Sequence, residues 1–374
     1  MNMSLLRCPD HSRIERIAAG LMVVNTRCLG TNLTGVQRYT LEILKRLSLA
    51  HLELSPRCFS RGFAGHLWEQ AVLPLKLRRD NLLWSPSNCG PLAVRNQVVT
   101  VHDIAPIDHP EWFTKRFALW YQMIVPRLVH RVRHIITVSE FTRNRLIDAL
   151  QVPAGKITVI YNGVDRRFCP LSPARRASQA VEAMKLPSSR YVLSLCSVEP
   201  RKNIVRLLKA WKQIEGRYKD IWLVIAGAEG SELVFNKVLH GQPVVSEVEP
   251  LPPRVHFTGH VPEEYLAALY AGAIVYVYVS LYEGFGLPPL EAMAAGCPAI
   301  VSKTTALPEV CKDAAFYVDP CDVEAIAKAM SDVIAEPDRR RMLTGRGLAR
   351  ASDFTWDKSA RLHEKVFETF LHSQ

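Results

Sequence analysis

The chain has 374 residues, of which 48% are hydrophobic and 22% charged, and its formal net charge is +11. This length predicts two domains, and the composition is typical of a globular protein. Because no apolar run reaches the roughly 18 residues needed to cross a bilayer, a membrane-spanning protein is excluded.

Strands and helices alternate through the first half of the chain. Short runs rich in branched apolar residues predict buried strands, and they cover 17–24, 96–103, 133–139 and 156–165. Between the first two of these runs, apolar residues at helical spacing predict a helix over 39–49. Ser139 is placed to cap the helix EFTRNRLIDAL.

The strand–helix pattern restarts after a polar stretch punctuated by prolines, 166–190, which we interpret as a linker. The strands predicted beyond it are 191–199, 221–227, 254–261, 273–280 and 298–302. Strands that alternate with helices form parallel sheets with right-handed crossovers. We therefore predict an α/β fold of two Rossmann-like, doubly wound domains that face each other across a cleft. Ligands of such folds lie beyond the carboxyl ends of the strands.

The segment SLYEGFGLPPLEAMAAGCPAIVS, residues 280–302, places two glutamates around a glycine turn. The turn lets backbone N–H groups approach a ligand, and the two prolines suit the first turn of a helix, where Glu291 also falls. Such a helix start binds anions, although Glu283 and Glu291 would repel a bare phosphate. A nucleotide sugar fits, with hydroxyls at each acid and the diphosphate at the amides. The alternative is a helix whose acids only face its positive end.

This segment closely resembles the signature of the family 4 retaining glycosyltransferases, which have the GT-B fold. Other stretches agree in order and spacing, namely VHDIAP, ITVSEFTRNRL, YNGVD, SVEPRKNIVRLLKAW, VIAGAEG, VHFTGHV and FTWDKSARLHEKVFETF. The resemblance covers nearly the whole chain. It implies an acceptor-binding domain at 1–178 and a nucleotide-sugar-binding domain at 179–356. A C-terminal helix at about 357–374 is expected to pack back on the first domain.

The resemblance also implies which residues perform the transfer. Arg201 and Lys202, two cations at a helix start, match the pair that neutralises the leaving diphosphate. Glu283 matches the acid that holds the donor-sugar hydroxyls. His102 matches a histidine that reaches across the cleft to the donor sugar, and we expect Asp103 to orient His102 or its loop.

The other donor contacts follow from the same resemblance. Glu291 matches the ribose ligand, and Val261 is expected to lie against the base through its backbone. Gly35 resembles a glycine that approaches the donor phosphates, where the family often has two glycines and this chain has Thr34 and Gly35. The amides that face sugar and phosphate are expected from Gly284, Phe285, Gly286 and Leu287.

No metal or other cofactor is predicted. The chain lacks the Asp-x-Asp pair with which the other large glycosyltransferase fold holds a divalent ion. Its nine cysteines form no C-x-x-C pair, so neither a zinc ribbon nor a redox motif is indicated. Cys196 stands where the family commonly has glycine, and no activating base is evident for it as a nucleophile. The start, MNMSLLRCPDHSR, lacks the apolar core of a secretory signal, so we expect a reducing, cytoplasmic location.

The positive charge is concentrated in the first half, where a saccharide acceptor is expected. Residues 1–200 carry 27 Lys and Arg against 14 Asp and Glu, whereas residues 201–374 carry 20 against 22. The segment 114–134 has apolar residues at helical spacing between basic flanks, which suits either an interfacial helix on anionic lipid or a packing helix with a solvated rim. A polyprenyl-diphosphate-linked saccharide at the inner membrane face would explain the asymmetry. Nucleic acid is not a predicted partner, since no aromatic-basic module is present.

The sequence therefore predicts a retaining glycosyltransferase of cell-surface polysaccharide or lipopolysaccharide synthesis. GDP-mannose is the preferred donor, from similarity to bacterial mannosyltransferases. Two alternatives stay open, a UDP-sugar donor and a non-catalytic scaffold that binds nucleotide sugars. The E-x7-E spacing and the P-R-K-N run argue against an epimerase or a glycan phosphorylase.

Overall fold

The computed structural model describes residues 17–30, 35–56, 62–170, 184–227 and 250–372, together with 182, 234, 238–239 and 242–243. It contains two parallel six-stranded sheets flanked by helices, so the predicted α/β fold is confirmed. We call the part built on the first sheet the N lobe and the part built on the second sheet the C lobe. Residues 171–181 of the predicted linker lie outside the described residues.

The sheet of the N lobe has the strand order β2-β1-β3-β4-β5-β6, with every pair parallel. Its four inner strands are fully buried, as expected for a sheet covered on both faces, whereas the edge strands β2 and β6 are partly exposed. They are β1 (Met22–Asn25), β2 (His51–Leu54), β3 (Leu82–Ser85), β4 (Gln97–Val101), β5 (His134–Thr137) and β6 (Ile157–Val159).

The sheet of the C lobe has the order β11-β8-β7-β12-β13-β14 and is also parallel throughout. The chain direction across the sheet reverses between β7 and β12, so a ligand crevice is expected at their carboxyl ends. The strands are β7 (Tyr191–Leu195), β8 (Trp222–Ala226), β11 (Val255–Gly259), β12 (Val275–Tyr278), β13 (Ala299–Ser302) and β14 (Ala315–Val318). Two further two-residue strands, β9 (Val238–Leu239) and β10 (Gln242–Pro243), pair only with each other.

Helices cover both sheets and bury apolar stripes against them. In α7, for example, Ile204, Leu207, Leu208 and Trp211 recur at helical spacing and are buried. The helices of the N lobe are α1 (Gly35–Leu44), α2 (Gly62–Leu67), α3 (Leu73–Lys76), α4 (Ala105–Asp108), α5 (Lys115–Arg131) and α6 (Glu140–Leu150). Those that follow are α7 (Ile204–Ile214), α8 (Glu263–Gly272), α9 (Leu287–Ala294), α10 (Leu307–Cys311), α11 (Val323–Ala335), α12 (Pro337–Ser352) and α13 (Trp356–His372).

The last helix, α13, lies on the N lobe although it follows the C lobe in sequence. Phe367 of α13 is fully buried, with its ring centroid 5.2 Å from that of Trp84 on β3. The chain thus crosses between the lobes twice, and Val164 and Thr355 of the two crossings form a β-bridge.

Some boundaries differ from the sequence predictions. β1 begins at Met22 rather than at residue 17, because the run first makes a turn in which Gly20 has a φ of +73°. Helix α1 begins at Gly35 and ends at Leu44, four to five residues before the predicted helix. The strands β2, β3 and β14 were not predicted.

Within the described residues, no helix combines the length and the hydrophobicity that a bilayer crossing needs.

Candidate functional site

The loops after β7 and β12 meet at the crevice of the C lobe. The backbone N–H of Leu281 donates to the carbonyl of Arg201 at 2.7 Å, and the Ser280 hydroxyl oxygen lies 3.0 Å from the same carbonyl oxygen. Asn203 adopts a left-handed conformation with φ +61°, which asparagine tolerates better than most residues. Its side-chain amide donates to the carbonyls of Val279 and Pro320 at 2.9 and 2.7 Å, so both loops are held in one arrangement.

Lys202 and Glu283 form the centre of the site. The Lys202 Nζ lies 2.5 Å from Glu283 Oε1 and 2.7 Å from the hydroxyl of Tyr278, the last residue of β12. The same Glu283 oxygen accepts from the hydroxyls of Tyr278 and Ser280, both at 2.7 Å. The carboxylate is therefore anchored through one oxygen.

Arg201 lies beside this pair and reaches toward the N lobe. Its Nε donates to Glu199 Oε1 at 2.8 Å, and a terminal nitrogen lies 3.4 Å from Asp103 Oδ2 of the N lobe. Asp103 was expected to orient His102 or its loop, and its other oxygen does accept from the backbone N–H of Ala105 at 3.2 Å. The contact with Arg201 adds a bridge between the lobes.

The charges of the site shift the pKa of its ionisable groups in opposite directions. Burial disfavours the charged form of Glu283, but Lys202 and Arg201 outweigh it, so the pKa of Glu283 lies below its ordinary value. Burial likewise disfavours charged Arg201, and the carboxylates of Glu199 and Glu283 reverse this, so the pKa of Arg201 is raised. Both groups are therefore charged at neutral pH.

His102 follows β4, and its ring packs edge-on against Tyr39 of the N lobe, with the ring centroids 4.7 Å apart. Its Nε2 is 2.7 Å from the carbonyl of Pro86, and because a carbonyl only accepts, Nε2 carries the proton. Burial lowers the pKa of His102, so the ring is neutral at neutral pH. Its backbone N–H donates to the Asn88 side chain at 2.6 Å, which fixes the loop.

The glycine turn packs directly against the His102 backbone. A Cβ added to Gly284 would lie 1.9 Å from the His102 carbonyl oxygen, so only glycine fits there. The carbonyl of Gly284 accepts from the hydroxyl of Ser139 at 2.6 Å. Gly286, with φ +101°, begins α9. The Phe285 side chain is buried edge-on against Phe354, so only its backbone is free to face the cleft.

Glu291 lies in the second turn of α9, one turn later than the sequence pattern predicted, and it is buried. The Tyr270 hydroxyl donates to Glu291 Oε2 at 3.1 Å, and Arg38 of the N lobe donates to Oε1. A second Arg38 nitrogen donates to Glu263. Burial raises the pKa of Glu291, and Arg38 acts in the opposite direction.

Among the remaining predicted residues, Gly35 approaches the C lobe, whereas Val261 and Cys196 are buried. A Cβ added to Gly35, at the start of α1, would lie 3.8 Å from a methyl carbon of Leu287 across the lobes. Thr34 is outside the described residues. The Val261 side chain is buried in the core. Cys196 is buried as well, and burial raises the pKa of its thiol to about 12, which makes it a poor nucleophile.

Sequence reasoning missed several residues that the structure brings into the site. Glu199 precedes the two cations, is 2% exposed and holds Arg201. Tyr278 supports Lys202 and Glu283, and Arg38 with Glu263 completes the surroundings of Glu291. Glu199 and Arg38 stood inside the motifs SVEPRKN and TGVQRY, but nothing in the spacing showed where their side chains point. Among the described residues, no three His, Cys, Asp or Glu side chains gather as metal ligands.

Comparisons with known proteins show the family of the chain. A family model described as "Glycosyl transferases group 1" matches residues 179–349, and one described as "Glycosyltransferase Family 4" matches residues 81–168. The chain is 30% identical over 368 residues to the O-antigen chain mannosyltransferase B of Escherichia coli, covering 87% of this chain and 93% of the relative.

Two further similarities extend the comparison. The O-antigen chain mannosyltransferase RfbU of Salmonella typhimurium strain LT2 is 30% identical over 271 residues, covering 72% of this chain and 70% of the relative. The crystal structure of Anabaena HepE in complex with UDP-glucose superimposes with a TM-score of 0.71 at 18% identity, covering 93% of this chain and 99% of HepE. At this identity the superposition supports the fold alone.

Proposed function

The chain belongs to the family 4 glycosyltransferases, and from this premise we propose that it transfers mannose from GDP-mannose to a saccharide acceptor with retention of anomeric configuration. The names of the relatives support mannose as the sugar and a polysaccharide of the O-antigen type as the product. The observation that carries the proposal is the pair Arg201 and Lys202 beside Glu283, in the crevice between the lobes.

The geometry supports a specific position for the donor. Two cations in the turn immediately before α7 suit a diphosphate, and the charged Glu283 beside them suits the hydroxyls of the sugar. In the structure these cations are surrounded by three carboxylates, those of Glu199, Glu283 and Asp103. We propose that the diphosphate replaces part of these contacts, and that Glu283 is then released from Lys202 toward the sugar.

The proposed reaction breaks the bond between the anomeric carbon and the diphosphate oxygen. Arg201 and Lys202 stabilise the negative charge that develops on the departing diphosphate, which is the largest contribution we expect. An acceptor hydroxyl attacks the same face of the sugar and gives its proton to the leaving phosphate oxygen. His102 is neutral and held by Pro86, and we propose that it lines this face from the N lobe.

No metal ion is needed in this proposal, because the two cations supply the charge. Chelation with EDTA should then leave the turnover unchanged, whereas a marked loss that Mg²⁺ or Mn²⁺ restores would contradict it.

The donor is tested with a panel of nucleotide sugars. We expect GDP-mannose to raise the melting temperature of the wild type more than UDP-glucose or UDP-galactose does, since donor binding stabilises the folded state. We also expect slow release of GDP without acceptor, strongly reduced in Arg201→Ala and Glu283→Ala. A preference for a UDP-sugar would replace the GDP-mannose assignment. Failure of the wild type to bind any nucleotide sugar would favour the scaffold alternative.

The acceptor is proposed to be a polyprenyl-diphosphate-linked saccharide at the membrane surface. Helix α5 buries one face against the N-lobe core, including Tyr121, Val125 and Leu128, as the packing interpretation predicts. Its other face exposes Leu119 and Met123, which are 56% and 41% exposed. The helix has no acidic residue, and its cations border a shallow groove lined by Leu92, Pro126, Arg127, His130 and Arg131. Exposed apolar residues among cations support contact with anionic lipid.

Vesicle flotation tests this surface. We expect the wild type to float with phosphatidylglycerol vesicles and less with phosphatidylcholine vesicles, because the attraction is partly electrostatic. The double variant Leu119→Gln and Met123→Gln should float less, while Leu251→Gln, an exposed apolar residue of the C lobe, should behave as the wild type. If the wild type floats with neither kind of vesicle, the proposed contact with the membrane is refuted.

A further inference from the structure

The proposed ribose site contains a guanidinium from the opposite lobe. Arg38 lies on α1 of the N lobe, and its two terminal nitrogens donate to Glu291 on α9 and to Glu263 at the start of α8. The side chains of Arg38 and Glu291 are only 16% and 5% exposed. A pair this buried constrains the positions of both groups, unlike an exposed ion pair.

The contacts orient Glu291 and leave it able to bind more donors. Arg38 donates to Oε1, and the Tyr270 hydroxyl donates to Oε2. An ionised carboxylate has about four lone-pair positions, so roughly two remain for hydroxyls. Arg38 therefore does not block the carboxylate. It holds the carboxylate in one rotamer while a vicinal diol, such as that of a ribose, binds beside it.

The charge of Arg38 also affects the protonation of Glu291. Burial alone favours the protonated form of Glu291, and Arg38 is the strongest of the groups that oppose this. A protonated carboxyl offers less acceptor capacity and donates a proton of its own. Because Arg38 belongs to the N lobe, it supports Glu291 only when the lobes are together.

Glu263 holds Arg38 in this orientation. It accepts from Arg38 through Oε1, and its Oε2 lies 2.5 Å from a nitrogen of Arg167. Arg167 thus belongs to the same cluster, which it contacts through Glu263.

We propose that Arg38 is a positioning residue for the donor ribose, which it serves by holding Glu291 as the acceptor of the ribose hydroxyls. Recognition of the ribose then requires both lobes. This inference rests on the proposed function, because it assumes that Glu291 contacts the ribose of a nucleotide.

Calorimetry tests the role of Arg38 by comparing the affinity for GDP with the affinities for its 2′-deoxy and 3′-deoxy analogues. UDP and its 2′-deoxy and 3′-deoxy analogues are measured in parallel. A hydrogen bond to a charged group contributes enough that the wild type should bind the ribonucleotide about 10- to 100-fold more tightly than one of the deoxy analogues. Glu291→Gln should lose most of that preference. Arg38→Ala should also lose the preference for the ribonucleotide, while its affinity for the deoxy analogue stays near that of the wild type. Arg38→Lys should retain part of the preference.

The control Lys45→Ala, which removes an exposed cation just beyond the end of α1, should keep the preference. The inference is overturned if Arg38→Ala keeps the preference that Glu291→Gln loses. It is also overturned if Arg38→Ala weakens ribonucleotide and deoxynucleotide equally, since Arg38 would then act on the phosphates or on the fold. A wild type that binds the nucleotides without any preference refutes the role of Glu291 and of Arg38 together. Failure to bind either GDP or UDP refutes the proposed function instead.

Discussion

At the scale of single residues, the site places two cations among three carboxylates. Lys202 is 8% exposed, and its ammonium contacts Glu283 and the hydroxyl of Tyr278. Glu199 holds Arg201 through one oxygen, while its Oε2 has no hydrogen-bond partner among the described residues. A buried carboxylate with an unused oxygen is costly, so we infer that Glu199 is kept because it fixes the cations for a diphosphate.

Removing the ammonium of Lys202 should slow the chemical step. We expect Lys202→Ala to lower kcat by about 10²- to 10³-fold, the usual loss when one preorganised charge is removed from a developing anion. The measurement is GDP release from GDP-mannose at saturating donor. Lys209→Ala removes an exposed cation from α7, the helix that follows Lys202, and should keep the wild-type rate. A Lys202→Ala rate within twofold of the wild type would refute the role of Lys202.

At the scale of elements, the C-terminal helix α13 is joined to the N lobe by a directed chain of hydrogen bonds. The Trp84 indole donates to Thr100 Oγ1 at 3.0 Å, and that hydroxyl lies 2.9 Å from the Tyr39 hydroxyl. The Tyr39 oxygen lies 2.6 Å from His363 Nε2, and His363 Nδ1 lies 2.7 Å from the Ser359 carbonyl. Since a carbonyl only accepts, Nδ1 carries the proton and Nε2 accepts from Tyr39, so the chain requires a neutral His363.

This series of hydrogen bonds predicts that the folded protein loses stability in mild acid. Burial lowers the pKa of His363 to about 4 from an ordinary 6.5. As the pH falls, the unfolded state therefore binds a proton at His363 before the folded state does. The contribution of His363 to the free energy of unfolding is complete above pH 6.5 and declines as the pH falls toward 4. The slope of the free energy of unfolding against pH approaches about 1.4 kcal/mol per pH unit. Urea denaturation from pH 7.5 to 4.5 should show a steeper decline for the wild type than for His363→Gln.

His134 provides an internal reference for this experiment. Burial and Lys156 lower its pKa to about 4 as well, and it titrates in both proteins, so the difference between the two slopes isolates His363. The exposed His260 offers a control, and His260→Gln should keep the wild-type slope. Parallel slopes for the wild type and His363→Gln would contradict a neutral His363 in the folded protein.

Local sequence patterns predicted helices and strands well where the pattern extended over enough residues. The N-terminal cap of α6 is confirmed, because the Ser139 side chain accepts from the backbone N–H of Thr142. The edge strand β2 was missed, since its four residues are half-exposed and show no clear alternation. The Arg38–Glu291 contact joins residues 253 positions apart, and no periodicity reports such a distance in the chain. The surroundings of the acids therefore became visible only in three dimensions.

At the scale of the whole molecule, the two lobes are in contact across the cleft. Glu309 of the C lobe accepts from the backbone N–H groups of Glu140 and Phe141, at 2.7 and 3.0 Å, and so caps α6 of the N lobe. The Tyr282 hydroxyl donates to Asp108 at 2.9 Å. These contacts surround the predicted catalytic residues, so we infer that the structure represents a closed arrangement in which residues of both lobes complete the site.

Closure depends on the close approach of Gly284 to His102. In Gly284→Ala the added methyl would overlap the His102 carbonyl oxygen, so the lobes should be held apart. We expect a larger radius of gyration by small-angle X-ray scattering and a fall in kcat/KM of at least about 10²-fold, because misplaced groups lose their alignment. Gly345→Ala adds a methyl to open space on an exposed helix and should change neither quantity. A Gly284→Ala protein with wild-type activity would show that the approach is dispensable.

The central claim is that a nucleotide sugar binds between the lobes with its diphosphate on Arg201 and Lys202. The most direct measurement is a crystal structure of the complex with GDP-mannose. The proposed function predicts diphosphate oxygens within hydrogen-bond distance of both cations, mannose hydroxyls on Glu283 and ribose hydroxyls on Glu291. A donor bound elsewhere, or a cleft in which Arg201 and Lys202 keep only their carboxylate contacts beside a bound donor, would contradict it.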